Sequence, residues 1–585
     1  MAKKINSKRF WVWLVWAGLI GILLYTRLVN LGWGLPYPMH PDERNMADSI
    51  IQMECKMPDV AINLPKSING EWDIFSWIRV SNFDIDNCFN PHFFAYGQFP
   101  LYVGYFVVYV MKFFDGDMGI PISFQEATLA LRYISALSSM ITVYFLVSLS
   151  GIFFEQKHHR SLGKLVTAAA AIIVPYAIQF AHFGTTESLL MMFYTVLAYL
   201  AISRVDGKIS DLNFVFSSAI TLGMALATKV SSAVFFLVPV FTILAVSNKR
   251  LPYPLWYRFF KKFLDLVVLV FFSVVVFLFL SPHNIISYND FIGSMRYESG
   301  VALGQMVVFY TRQFIGTTPI IFQLEKIFPY TLGIVGLTLF FVGFFLVSWT
   351  DKKINLLRIA FLGYFLTSAF MYAKWSRFMA PVMPIMTIFA ALAFMDFYEK
   401  IPGRGIWFFL KSITMSLVFV LMLVPGFAYL SIYEQKDVRQ EATEWIYRNV
   451  PENSYVLSET GNVVDIPLYA GGQAANYNLV SFDFYSLDQD PGIQADLAGH
   501  LGKADYIIVP SRRIIANHGA DQFPMVAKYY DDLLSGKSGF ELMAQFTSYP
   551  KIAFDGKTLV EFPDERAEET WTVFDHPVVR IFRRI

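Results

Sequence analysis

Eleven apolar stretches constrain this chain more than any motif in it. They lie near residues 10–29, 126–152, 165–181, 189–203, 213–228, 233–248, 263–280, 328–349, 359–373, 378–398 and 406–430. Each approaches the roughly 20 apolar residues that a helix needs to cross a hydrocarbon core. They come as blocks rather than as amphipathic stripes. Only 16% of the 585 residues are charged, against about 25% in soluble domains. The expected fold class is a polytopic α-helical membrane protein of about 11 transmembrane helices.

A further apolar segment, 100–114, is short for a span, and the positive-inside rule decides how to treat it. If it does not cross, the cytoplasmic stretches (1–9, 155–164, 204–212, 249–262, 351–358 and 399–411) hold 20 Lys and Arg in 63 residues. The outer loops (30–125, 182–188, 229–232, 281–327 and 372–377) then hold only 11 in 160. If it crosses, the basic runs QKHHRSLGK and NKRLPYPLWYRFFKK move outside. Segment 100–114 is therefore expected on or in the outer leaflet. The basic start, MAKKINSKRF, is read as cytoplasmic and as leading into an uncleaved first helix, since no small-x-small site follows. The location implied is the cytoplasmic (inner) membrane.

Two regions are expected: a transmembrane part, 1–430, with large outer loops at 30–125 and 281–327, and a soluble extracytoplasmic α/β domain, 431–585. The second holds 23 acidic and 14 basic residues. A helix is expected over Asp437–Asn449, ended by Pro451. Strands are expected at Ser454–Ser458, Tyr506–Val509 and Val578–Phe582, with helices near Gln494–Leu501 and Gln522–Leu534 between them. Gly471-Gly472 is too little for a phosphate-binding fingerprint. The two cysteines, Cys55 and Cys88, both fall in the first outer loop, where a disulfide is permitted.

Three polar sets lie on the outer side. The first is His40-Pro41-Asp42-Glu43, about ten residues past the first span. An ionised Asp there can act as general base, and Pro-Asp-Glu-Arg is also a good helix start. The second is His182-Phe183-Gly184-Thr185-Thr186-Glu187-Ser188, where Glu187 is the lone acid. Glu187 either faces the same cavity as Asp42 or sits in the first turn of the next helix. His40, His92 and His182 allow a metal without requiring one, for their spacing matches no standard site. The third set is cationic: Lys229, Arg296, Arg312, Lys374 and Arg377. Cations on that side run against the positive-inside trend, and a phosphate at the membrane face would account for them. Ion pairing or snorkelling is the alternative. The 281–327 loop adds Tyr297, Tyr310 and Gln313, groups that suit a sugar or an ordinary ordered loop.

In this order the motifs resemble the GT-C membrane glycosyltransferases. The nearest likeness is to bacterial relatives of dolichyl-phosphate-mannose protein mannosyltransferases and of lipid A aminoarabinose transferases. The carrying residues are HPDE at 40–43, NPHFFAYGQFPLY at 90–102, LALRYISAL at 129–137, HFGTTES at 182–188, LATKVSS at 226–232 and KWSRFMAPVMP at 374–384. The resemblance covers 1–430. It implies an inverting transfer of a hexosyl or pentosyl group from a polyprenyl-phosphate-linked sugar to an extracytoplasmic hydroxyl on a protein, lipid or glycan. Asp42 would be the base, Glu43 its support, Glu187 the second acid, and the five cations the leaving-phosphate site. The substrate pocket would draw on His40, Arg44, His92, Tyr96, His182, Tyr297, Tyr310 and Gln313. A divalent metal is allowed but not required, because the two related groups differ on it. Membrane lipids are expected partners and nucleic acid is not. The competing class is a transporter or lipid flippase, but matched Gly/Pro-broken halves are not evident in the sequence.

Overall fold

The computed structural model describes residues 7–53, 59–62, 78–81, 88–155, 159–246, 254–401, 405–460, 465–468 and 477–585. The expected Cys55–Cys88 disulfide and Gly471-Gly472 lie outside these residues, the former because Cys55 does.

Each of the eleven apolar stretches is helical over most of its described residues, with breaks inside several of them. Six helices are long and apolar enough to cross a membrane: Phe10–Leu28, Phe124–Phe153, Glu187–Val205, Leu255–Leu280, Ser376–Lys400 and Ile406–Leu430. Two bent helix pairs, each a broken span or a re-entrant loop, raise the number among the described residues to at most 8. Arg160–Ile172 and Pro175–His182 meet at 50°. Val174, immediately before the proline, is extended (φ −127°, ψ 136°), as expected of a residue that proline excludes from the helical region. Gln323–Leu332 and Ile334–Leu346 meet at 109° around Gly333. Gly333 has φ +75°, and a Cβ there would lie 2.5 Å from Pro425, so only glycine fits that corner. The other expected spans are the shorter helices Asp211–Leu226 and Val230–Ala245, and Lys352–Ala369, which opens on Lys352-Lys353.

Segment 100–114 is a 17-residue helix, Phe99–Asp115, ended by Gly116 in the left-handed conformation. It packs through Leu101, Gly104 and Val108 on the Phe124–Phe153 and Pro41–Gln52 helices. A Cβ on Gly104 would meet Ile50 at 2.6 Å, so the close approach depends on that glycine.

The C-terminal part is α/β. Its five-stranded sheet runs in the order Asn478–Phe482, Tyr455–Glu459, Tyr506–Val509, Val579–Arg584, Phe540–Phe546. The first three strands are parallel and the last two join antiparallel. Alternate residues bury on opposite faces, as the two-residue strand period requires. Leu457, Ile507 and Phe582 face the Pro491–Lys503 and Pro524–Leu534 helices, and Val456, Ile508 and Ile581 face Val438–Asn449. The expected strands and helices here are present, while the strands Asn478–Phe482 and Phe540–Phe546 are additional.

The two parts interlock. Tyr429 and Tyr433, at the end of the last spanning helix and just beyond it, both donate hydrogen bonds to Asp575 (2.9 and 2.8 Å). Gln179 donates to the Trp571 carbonyl at 2.8 Å. Arg439 is fully buried against Asp437 and also donates to the Met39 carbonyl at 3.4 Å.

Candidate active site

The Pro41–Gln52 helix presents Asp42 and Glu43 in its first turn. His40 caps it: its Nδ1 accepts from the Asp42 N–H at 3.2 Å. Burial, reinforced by Arg377, Arg132, Arg513 and Arg439, holds the His40 imidazole well below its ordinary pKa, which keeps Nδ1 free to accept. The ring is buried between Phe183 and Phe574, at centroid distances of 4.8 and 4.3 Å. His40 is thus placed as a cap, with its ring turned into packing.

Glu43 and Asp42 part company. Glu43 is 2% exposed and takes a fork-like pair of bonds from Arg132, both 2.7 Å. Arg132 also donates to the carbonyls of Leu31 and Trp33 at 2.6 and 2.7 Å, and Glu43 accepts the Gly184 N–H at 2.6 Å. A Cβ on Gly184 would lie 2.7 Å from Leu131 and 3.0 Å from Glu43. Glu43 therefore ties three motifs (HPDE, LALRYISAL and HFGTTES) into one buried joint. Asp42, with its side chain 20% exposed, pairs instead with Arg377.

Arg377 opens onto a cavity of about 430 Å³ lined also by Tyr96, Lys229, Glu298, Trp375 and Phe378. Tyr96 and Lys229 are brought there by backbone pairing: Gly97 and Phe99 N–H donate to the carbonyls of Thr228 and Ala227 at 2.9 and 3.0 Å. A Cβ on Gly97 would lie 2.0 Å from the Ala227 carbonyl oxygen, so this pairing requires glycine. Lys229 sits over the Tyr96 ring at 4.9 Å and the Phe378 ring at 5.4 Å, and 4.0 Å from buried Glu187. Arg377 lies over Trp375 at 4.7 Å. Burial first, then the charges of Glu187 and Glu298, push the Tyr96 phenol well above its ordinary range, so it stays a neutral hydroxyl. The cavity thus offers two cations on aromatic faces, a phenol, the Glu298 carboxyl and, behind Arg377, the Asp42 carboxylate.

The remaining expected residues are spread more widely. Tyr297 and Tyr310 share a hydroxyl hydrogen bond of 3.0 Å, and Tyr310 stacks on Trp375. Lys374 is buried and donates to the Tyr372 carbonyl. Arg296 and His92 are exposed, and Arg44 bonds its neighbour Asn45. His182 is stacked on Tyr433 at 3.8 Å, its ring nitrogens on the carbonyls of Ile178 and Val29. Arg312 and Gln313 turn toward the C-terminal part. Arg312 donates to the Tyr485 carbonyl and contacts His518, in a second cavity of about 390 Å³ with Asp483 and Ser486. Gln313 donates to Glu568. Among the described residues no group of three His, Cys, Asp or Glu side chains gathers as a metal site; Asp42 and Glu187 each face a cation instead.

Sequence reasoning passed over Arg132, Trp375 and Glu298 as site residues, although each lies inside a segment it had marked. Glu568, whose carboxylate accepts the Ser376 N–H at 3.0 Å beside Arg377, had no sequence signal at all.

No protein-family model and no curated protein matches the chain. Solved structures do. The apo oligosaccharyltransferase of Archaeoglobus fulgidus is 11% identical over 90% of this chain and 73% of its own, with a TM-score of 0.48. ArnT from Cupriavidus metallidurans bound to undecaprenyl phosphate is 13% identical over 98% of both chains, TM-score 0.45. The arabinofuranosyltransferase AftD from Mycobacteria is 13% identical over 98% of this chain and 41% of its own, TM-score 0.40.

Proposed function

We propose that this protein is an inverting glycosyltransferase that moves a sugar from a polyprenyl-phosphate carrier to an acceptor hydroxyl outside the cytoplasm. The observation that supports it most is the junction of Asp42 with Arg377 at the edge of a cavity that also holds Lys229. The base acts on the oxygen that attacks the anomeric carbon and the cations on the phosphate oxygen that leaves it, so both must border the one cavity that holds that carbon.

The step follows from that arrangement. The acceptor oxygen attacks the anomeric carbon while Asp42 takes its proton. The bond from that carbon to the phosphate oxygen breaks, and its electron pair leaves with the phosphate. Arg377 and Lys229 stabilise the charge that grows there. Attack and departure on opposite faces invert the configuration. In the free protein Arg377 occupies the Asp42 carboxylate. A bound phosphate competes for the same guanidinium, so donor binding frees the Asp42 carboxylate to receive the acceptor's proton. Tyr96, a neutral hydroxyl beside Lys229, serves as a hydrogen-bond donor. Glu187 holds Lys229, and Glu43 holds the turn that carries Asp42. No metal enters this scheme.

The test is incubation of the purified protein with a panel of polyprenyl-phosphate sugars and acceptors, with mass spectrometry of the released carrier. Free polyprenyl phosphate in equal amount to glycosylated product is expected, and Asp42→Asn should stop both. Undiminished transfer by Asp42→Asn would remove Asp42 as the base, and lipid movement without sugar transfer would favour a transporter or flippase.

A further inference from the structure

We propose that the hairpin Lys551–Phe554 and Lys557–Glu561 lies in the lipid surface beside the last spanning helix, and that it seats the C-terminal part on the membrane. The hairpin stands apart from the five-stranded sheet. Its turn, Asp555-Gly556, has positive φ at both residues (49° and 73°), the geometry that suits a tight two-residue hairpin. An isolated two-stranded hairpin is marginal in water, and this one is nearly bare: all five residues of its second strand are exposed.

The exposed side chains are the wrong kind for water. Phe554 is 75% exposed, Leu559 65% and Val560 48%. The strand period and the pairing of Ile552 with Val560 put Ile552, Phe554 and Val560 on one face. Leu559 is the extra residue at a register shift, a place where a bulge re-aims a side chain.

What would cover this face is given by its position. The first strand packs against the Ile406–Leu430 helix, and the Lys551 N–H donates to the Ser431 hydroxyl, one residue past that helix, at 3.1 Å. The same helix exposes Leu417, Val420, Leu421 and Phe427, the apolar surface that a spanning helix turns to lipid. The hairpin's apolar face therefore continues a lipid-facing surface at its membrane edge. Its ends agree with a shallow seat: Lys551, Asp555, Lys557 and Glu561 keep the rim polar, and lysine stems can lie along acyl chains with the ammonium at the headgroups. Apolar anchors below a charged rim are the pattern of an interfacial element.

The experiment uses the full chain in nanodiscs of phosphatidylethanolamine and phosphatidylglycerol. An NBD label at Phe554→Cys or Leu559→Cys, in a Cys55→Ser, Cys88→Ser background, is read with doxyl-labelled lipids. A blue-shifted emission and at least a twofold loss of intensity with shallow doxyl lipids are expected. A water-like emission with no quenching at both positions overturns the proposal. Hydrogen exchange on the unmodified chain serves if the labelled variants do not fold. Amides of 554–560 should exchange at least tenfold more slowly in nanodiscs than in amphipol, and equal exchange overturns the proposal. Protection that instead depends on protein concentration would assign the face to a second copy of the chain and overturn it too. None of these readouts depends on glycosyl transfer.

Discussion

Asp42 and Glu43 are adjacent in the chain and belong to different regions of the molecule. Glu43 points back into the helical core, where it is 2% exposed and locked by Arg132 and the Gly184 amide. Asp42 points forward, with its side chain 20% exposed, and holds Arg377 at the edge of the cavity. Both are carboxylates paired with a guanidinium, yet their energetics diverge. A buried fork of this kind is tightly coupled, and removing one partner strands a charge without water. A pair that water can reach, about a fifth exposed on either side, gains less stability, because water can replace either partner. The lesson is that the first turn of one helix divides its labour: one acid fixes the turn, and the other is left available for exchange.

The comparison is broken or sharpened first by substituting each acid. Asp42→Asn should lower transfer by about 10²–10⁴-fold, the usual scale of a lost general base, with a melting temperature close to that of the parent. Glu43→Gln should do the reverse in kind, costing about 3–5 kcal/mol of stability by leaving Arg132 unpaired, seen in detergent as early unfolding and poor recovery. If Glu43→Gln folds as well as the parent and only activity falls, the division of roles is wrong. A smaller effect is expected at the cations. Arg377→Gln and Lys229→Gln should each weaken donor binding by about 10–100-fold, as charge-assisted bonds are worth about 1.5–3 kcal/mol. Arg312→Gln should leave donor affinity unchanged, because its guanidinium is bound to Tyr485 and His518. Donor titration followed by native mass spectrometry would separate the three.

These residues also show what could be read from the sequence and what could not. The apolar blocks are mostly helical because a helix satisfies its own backbone wherever water is excluded, and that is local information. Asp42, Lys229 and Arg377 were legible as members of three separate motifs expected on one side of the membrane. Their assembly was not: Glu43 meets Arg132 across 89 positions, and Tyr96 meets Lys229 only through the Gly97–Thr228 pairing. Arg312 reads in sequence like its fellow cations, and only a carbonyl 173 residues away reveals its different place. The strand Phe540–Phe546 hid for a local reason. It is an edge strand with Glu541, Leu542 and Met543 all exposed, so the in–out alternation that marks a strand is broken. The bent spans were invisible as bends, since Gly333 and Pro175 interrupt apolar runs without changing their hydropathy.

The C-terminal part supplies the last and smallest contrast, between a pair held on the site and a pair held on the scaffold. His576 is fully buried between Asp575 at 2.5 Å and Asp564 at 2.9 Å. Burial alone would depress the imidazole, but the two carboxylates outweigh it and raise the pKa to about 10. A histidine whose folded pKa is raised binds its proton more tightly when folded. Its contribution is complete below the unfolded value of about 6.5 and is lost as pH climbs through the folded value. Stability should therefore fall between about pH 6.5 and 10, by at most about 1.4 kcal/mol per pH unit for one proton. Glu459, buried against Tyr530 and raised to about 8 chiefly by burial, works in the same direction but is spent by about pH 8. The interval from 8 to 10 lies beyond the Glu459 window, and the His576→Gln variant separates His576 from the other groups that titrate there. Thermal unfolding across that interval should slope downward in the parent and flatten in His576→Gln. Asp575 also receives Tyr429 and Tyr433 from the membrane side. Loss of the His576 charge should thus loosen the seam between the two parts, and the Asp42 turn with it, through Phe574 against His40. A slope that persists in His576→Gln would place the titrating group elsewhere.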